Sequence, residues 1–329
     1  MRSGVYLVLA VLVAGCATGE TVRAPSSHGE PASPISVRIV RPDGVGPFPA
    51  VVWLHGCGGV VRGARHMDEW TRRLVRMGYV VAIPDSFSER GHPNGVCGNG
   101  GLVPALTRAG DAYTALRLLE ARPDVVPERI GAIGFSHGGW TVLAALDQDV
   151  AARARAAAGA AHGFAAAIAY YPECAAGSWI PTYRTAAPLL ILIGERDDWT
   201  PAPPCERLAE RTRAQGQPVS LIVYPGAYHS FDSYAPVTLV PEARQGRGAT
   251  IGGDSRARED SIKQVETFFA RYLRCCFLAE GLPRHRRMPG GGFMFARINH
   301  VAICSDHYAL NGRFYEALFG MRPSSKPRP

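Results

Sequence analysis

Ile130-Gly131-Ala132-Ile133-Gly134-Phe135-Ser136-His137-Gly138-Gly139-Trp140 is the stretch that decides the fold. Its first six residues are a short apolar run that reads as a buried strand. Gly138 to Leu146 reads as a helix. A serine between the two, with glycine at 134 and 138, marks a tight turn in which strand and helix approach closely. The hydroxyl is then held exposed in a strained conformation. The serine also starts the helix, whose N-terminus favours negative charge developing there. Simple helix capping is the plainer reading of a lone Gly-x-Ser-x-Gly. The strand before, the helix after and the added Gly139 favour a nucleophile.

Outward from this turn, strands and helices alternate. Strands are expected at Val37 to Arg41, Ala50 to Leu54, Tyr79 to Ile83, Phe164 to Tyr171, Leu189 to Ile193 and Val219 to Tyr224. Helices are expected at Asp68 to Met77, Leu102 to Ala121, Pro203 to Gln215 and Arg256 to Leu273. Residues 86 to 101 read as a loop, and the Ala-rich 151 to 161 resist assignment. Alternation of this kind builds an α/β fold, a doubly wound and mostly parallel sheet covered on both faces. Ligands then bind at the carboxyl ends of the strands.

A serine needs a base. Tyr228-His229-Ser230-Phe231 follows the last strand and supplies His229. Gly194-Glu195-Arg196-Asp197-Asp198-Trp199-Thr200-Pro201 follows the preceding strand. Two adjacent aspartates compete there. Spacing from Gly194 favours Asp197 as the acid that orients the histidine, leaving Asp198 to cap the following turn. The chain order is Ser136, Asp197, His229, each directly after a strand. Trp53-Leu54-His55-Gly56-Cys57-Gly58-Gly59 is glycine-rich and follows an early strand. It reads as a loop whose backbone approaches the substrate, with the amides of Cys57 and His137 as oxyanion donors. His55 reads as structural. Trp140, Tyr171 and Trp199 flank these positions as candidate substrate contacts.

The His-Gly-Cys-Gly-Gly loop, Gly-Phe-Ser-His-Gly-Gly-Trp, Gly-Glu-Arg-Asp-Asp-Trp-Thr-Pro and Tyr-His-Ser-Phe together resemble the dienelactone hydrolase family, over about residues 35 to 275. The resemblance implies an α/β-hydrolase fold with a minimal lid or none. It implies cleavage of an ester or lactone, with no metal or organic cofactor. It also implies a carboxylate-binding arginine, for which Arg90 is the candidate, a surface arginine being the plainer reading of that position. One departure stands out: founding members of the family use a cysteine nucleophile, and this chain has Ser136. Fold and triad therefore transfer more firmly than dienelactone itself as substrate. An acyltransferase on the same triad and a non-catalytic, lipid-anchored binding protein are the alternative readings.

The 329 residues, 47% hydrophobic and 19% charged, are those of a globular chain. The net charge of +8 is concentrated beyond residue 283, where eight Lys and Arg face only Asp306 and Glu316. The body has no basic stripe interleaved with aromatics, which argues against a nucleic-acid partner. Arg2, the apolar run Val5 to Val13 and Val13-Ala14-Gly15-Cys16 resemble a bacterial lipoprotein signal, residues 1–16, with Cys16 lipidated. That implies an exported, periplasmic protein held at the outer membrane by a lipid anchor alone. Residues 17–33 read as a flexible tether. The hydrolase domain is expected over 34–280. Residues 281–329 read as a linker and a truncated remnant resembling the start of a glyoxalase (vicinal oxygen chelate) module, with no metal bound at His300. Outside the cytoplasm thiols pair. Cys57 with Cys97, and Cys174 with Cys205, are the expected disulfides, because each pair sits in loops on one edge of the sheet. Free buried thiols are the alternative.

Overall fold

The computed structural model describes residues 19–26, 33–177, 180–241 and 243–274. The leader, Cys16 and the 281–329 tail with His300 lie outside the described residues.

One sheet has the order β1 (Gly19–Pro25), β2 (Pro34–Val40), β4 (Val80–Asp85), β3 (Phe48–Leu54), β5 (Val125–Phe135), β6 (Ala167–Tyr170), β7 (Leu189–Gly194), β8 (Val219–Tyr224). The six strands from β4 to β8 are parallel, and β1 and β2 run antiparallel at one edge. The parallel strands are apolar without alternation because helices cover both faces; all six residues of β7 are buried. The helices are α1 (Gly59–Arg62), α2 (Ala64–Arg76), α3 (Ala105–Glu120), α4 (His137–Leu146), α5 (Gln148–Ala158), α6 (Ala202–Ala214) and a closing helix, Ser255–Phe269.

From β3 the chain passes outward to β4, then crosses back to β5 on the other side of β3. The strand order therefore reverses at β3, and a crevice opens at the carboxyl ends of β3 and β5. Register fixes what meets there. Leu54 pairs with Gly134, Phe135 with Tyr170, and Gly194 with Tyr224. The loops beyond those residues are thus neighbours in space. Beneath them Phe135 stacks on Tyr170 (4.7 Å) and packs against Trp70 (5.2 Å).

Three regions depart from expectation. Residues 19–25, expected within the tether, form β1, paired with β2 from Gly19–Val40 to Pro25–Pro34. Polar composition there reflects an edge strand. Val22 packs on the core, while Glu20 and Arg23 form ion pairs with Arg122 and Glu89. The Ala-rich stretch belongs to α5, which Asp147 caps by accepting from the Val150 N–H (3.2 Å). After β8 a hairpin, β9 (Thr238–Val240) with β10 (Ala249–Ile251), appears where no strands were expected. Disulfides join Cys57 to Cys97 and Cys174 to Cys205, with Cα separations of 4.7 and 5.1 Å.

Candidate active site

β5 ends at Phe135, and Ser136 turns at φ 55°, ψ −115°. Only glycine fits around it. A Cβ at Gly134 would lie 2.1 Å from Gly138 O, and one at Gly138 would lie 2.0 Å from Leu54 O. Strand, turn and helix are in backbone contact, so the serine is held at positive φ by its surroundings. The hydroxyl faces His229.

His229 Nε2 lies 2.9 Å from Ser136 Oγ, and Nδ1 lies 2.8 Å from Asp197 Oδ2. The three candidates thus form one hydrogen-bonded chain. His229 and Asp197 are buried. Asp197 is oriented by its own loop: Oδ1 accepts from the amides of Trp199 (2.9 Å) and Thr200 (2.8 Å), and the Thr200 hydroxyl is 3.0 Å from Oδ2. A carboxylate so placed accepts from Nδ1–H and leaves Nε2 free to take a proton. The neighbouring Asp198 has a different role. It accepts from the Thr250 amide (2.7 Å) and hydroxyl (3.0 Å), which docks β10 beside the histidine loop.

The loop after β3 lies alongside the turn: a Cβ on Gly56 would be 3.7 Å from Ser136 Cβ. Cys57 is fastened there by its disulfide and by its carbonyl, which accepts from Val96 N–H (2.7 Å). The His137 amide is the first of α4 and has no acceptor within the helix. His137 follows Ser136 in the chain, and Gly56, the residue before Cys57, lies against it. The His137 imidazole is turned away. Its ring accepts from Arg108 at Nδ1 (2.7 Å) and donates from Nε2 to Gly100 O (3.0 Å). Burial, and then the charge of Arg108, push it down to about 3, so it is neutral at ordinary pH. His55 is also pushed well below its usual value, by burial first and Arg108 second.

The candidate substrate contacts divide. Trp199 lies beside His229 (ring centroids 5.1 Å) and lines a cleft of about 310 Å³, together with Gly100, Glu173, Arg244 and Arg247. Trp140 is half-buried, bonded through Nε1 to Ala176 O (2.9 Å). Tyr171 is buried; its ring supports His229 at 4.5 Å and its hydroxyl donates to Asp232 Oδ1 (2.7 Å). Arg90 is corrected. Both its terminal nitrogens bond Asp111 at 2.8 Å, and one also holds Ser86 O, so its fork is filled by the protein. Sequence reading missed Thr200, Asp232 and Arg108. Arg108 left one trace, as one of two charges, with Asp111, among the buried residues of α3. Among the described residues no group of three or more His, Cys, Asp or Glu is arranged to hold a metal ion. A larger cavity of about 390 Å³, between α5 and the segment before β6, contains no nucleophile or acid.

The dienelactone hydrolase family model matches residues 35–273. The chain belongs to the dienelactone hydrolase family. It is a hydrolase of ester or lactone bonds. It is similar to the "Putative carboxymethylenebutenolidase" of Yersinia pestis, 27% identical over 251 residues, which span 70% of this chain and 85% of that protein. Solved structures show the same α/β-hydrolase fold. One is titled "Putative Dienelactone Hydrolase", from Klebsiella pneumoniae (TM-score 0.57, 20% identity, 78% of this chain and all of that one). Another is Thermogutta terrifontis esterase 2 phosphorylated by paraoxon (TM-score 0.55, 17% identity, 76% and 94%).

Proposed function

We propose that this hydrolase works through an acyl-enzyme on Ser136, with His229 as base and Asp197 as the acid that orients it. The observation that carries the reading is the two-sided grip of His229, 2.9 Å from Ser136 Oγ and 2.8 Å from Asp197 Oδ2. His229 Nε2 takes the serine proton as Oγ bonds to the carbonyl carbon. The carbonyl electron pair moves to oxygen, where the amides of Cys57 and His137 stabilise it. The adduct collapses, and the alcohol leaves with the proton from His229. Water then gives a proton to His229, attacks the acyl carbon and releases Ser136 with that proton. In a lactone the alcohol stays tethered to the acyl group, and a hydroxy acid leaves.

The cleft beside Trp199 is open, and β6 and β7 are joined without a lid domain, which supports small or medium substrates. The similarity to a paraoxon-modified esterase supports an organophosphorus trap as the test. A fluorophosphonate should label wild-type protein and leave Ser136→Ala unlabelled. A panel of p-nitrophenyl esters and lactones should be turned over by the first and not the second. Folded wild type that takes no label overturns the reading. Transfer of the acyl group to added alcohol, in preference to water, replaces it with acyl transfer.

The two disulfides also support an address outside the cytoplasm. With the 1–16 leader, lipid anchoring at Cys16 is the reading to test, by incorporation of a clickable fatty acid into wild type and not into Cys16→Ala.

A further inference from the structure

We propose that Arg108 is a positioning residue for the oxyanion hole, its guanidinium joining the two chain segments that supply the hole's amides. The proposal rests on the serine mechanism above. Those amides come from far-apart segments, Cys57 after β3 and His137 after β5. Arg108, on α3, reaches both. Nη2 donates to His55 O (2.8 Å), two residues before Cys57, and Nη1 donates to the imidazole of His137 itself (2.7 Å). The guanidinium lies over the Phe87 ring (4.9 Å), whose edge contacts also reach His55 and His137.

The surrounding protons agree with one fixed arrangement. Ser86 N–H donates to His55 Nε2 (3.2 Å), which places the His55 proton on Nδ1, directed at Gly56 O (2.9 Å); Arg108 Nη2, 3.3 Å from that Nδ1, then gives its hydrogen bond to His55 O. Arg108 donates to His137 Nδ1, which places that proton on Nε2, directed at Gly100 O. Each neutral ring thus uses its second nitrogen to hold another loop. The fork sets the His137 tautomer and holds the His55 carbonyl, while Ser86 sets the His55 tautomer.

Arg108 is a costly way to fill space. It is fully buried, its Nε has no partner, and among the described residues no carboxylate lies within 4 Å of it. Asp111, one turn along α3, is already held by Arg90. Burial pushes the guanidinium down to about 9, so it remains charged at neutral pH. Asp111 and Asp85 attract it only from beyond ion-pair distance, and Arg90 repels it, so its charge is incompletely compensated and contributes little stability. What a hydrocarbon does not provide is two-point donation between the halves of the hole, together with positive charge behind a developing oxyanion.

Arg108→Gln and Arg108→Lys test this with p-nitrophenyl acetate and a boronic acid, which forms a tetrahedral anion on serine. In Arg108→Gln, kcat should fall roughly 10- to 100-fold with KM within about threefold, and boronate inhibition should weaken by the same factor as kcat. Arg108→Lys keeps the charge without the fork and should fall between Gln and wild type. A purely structural role would lower the melting temperature and leave the ratio of boronate Ki to KM unchanged. If the Gln variant fails to fold, Lys carries the comparison. Folded variants with kcat and boronate Ki within threefold of wild type overturn the proposal alone. Wild type that takes no fluorophosphonate overturns the nucleophile, and this proposal with it.

Discussion

The Tyr171 hydroxyl donates a 2.7 Å hydrogen bond to Asp232 Oδ1, tying the end of β6 to the loop that carries His229. The other oxygen of Asp232 accepts from His66 Nε2 (2.6 Å) and Trp70 Nε1 (2.8 Å), both on α2. Burial alone would raise this carboxyl, but His66 and the three donors more than offset that and hold it below the usual range. Asp232→Ala leaves the Tyr171 and Trp70 donors buried without an acceptor, at about 1–3 kcal/mol each. We expect a melting temperature lower by roughly 10 °C and a smaller loss in Asp232→Asn, which keeps one acceptor. Calorimetry decides. An unchanged melting temperature in the Ala variant would mean that the network is not what anchors the loop.

The two adjacent aspartates should separate cleanly. Asp197→Asn removes the acceptor that sets the His229 tautomer, and kcat should fall by about 10⁴ with the protein still folded. Asp198→Ala releases only Thr250 and the β10 edge, and should keep kcat within about tenfold. Steady-state kinetics on one ester reads both. Equal losses would mean that hairpin docking and triad orientation are not separable.

Acid should destabilise the protein well above the carboxylate range. His55 and His137 have folded-state values pushed below that of an unfolded histidine, near 6.5. Between pH 6.5 and the folded values the unfolded chain binds more protons, so stability rises with pH. It is complete above about 6.5 and is lost progressively below. Each buried histidine contributes a slope of about 1.4 kcal/mol per pH unit. Melting temperatures from pH 7 to 4 should therefore fall steeply. Asp232 adds to this only below about pH 4, because its folded value lies under the unfolded one. A flat profile from pH 7 to 5 would contradict neutral burial of the two rings.

The parallel strands were legible because burial on both faces makes them continuous apolar runs. Ser136, Asp197 and His229 were legible because each follows such a run. β1 was not, since an edge strand needs a ladder partner more than an apolar sequence. The strands of the β9–β10 hairpin have three residues each, too few for any period to show. Arg90 misled for a different reason. Its partner Asp111 is 21 residues away on α3, and only the fold brings them together. Thr200 and Asp232 lie within three residues of Asp197 and His229; Asp232 bonds Tyr171, His66 and Trp70, and Thr200 reaches Tyr171 O as well as Asp197 in its own loop, contacts that sequence distance does not reveal.

The disulfides should differ in what they protect. Cys57–Cys97 closes a separation of 40 residues and Cys174–Cys205 one of 31, so chain entropy assigns each about 4 kcal/mol of stability. Only the first holds Cys57, the residue proposed to supply an oxyanion amide. Around it Gly95 packs so closely that a Cβ there would lie 2.3 Å from Cys57 O, and Val96 N–H donates to that same carbonyl. Cys57→Ser with Cys97→Ser should therefore lower kcat roughly tenfold, measured well below the melting temperature, with KM nearly constant. Cys174→Ser with Cys205→Ser should lose similar stability, because Cys205 is buried against Pro172 O, and keep kcat within about threefold. Equal kinetic effects from the two pairs, at equal loss of melting temperature, would show that the first bridge stabilises the fold without shaping the hole.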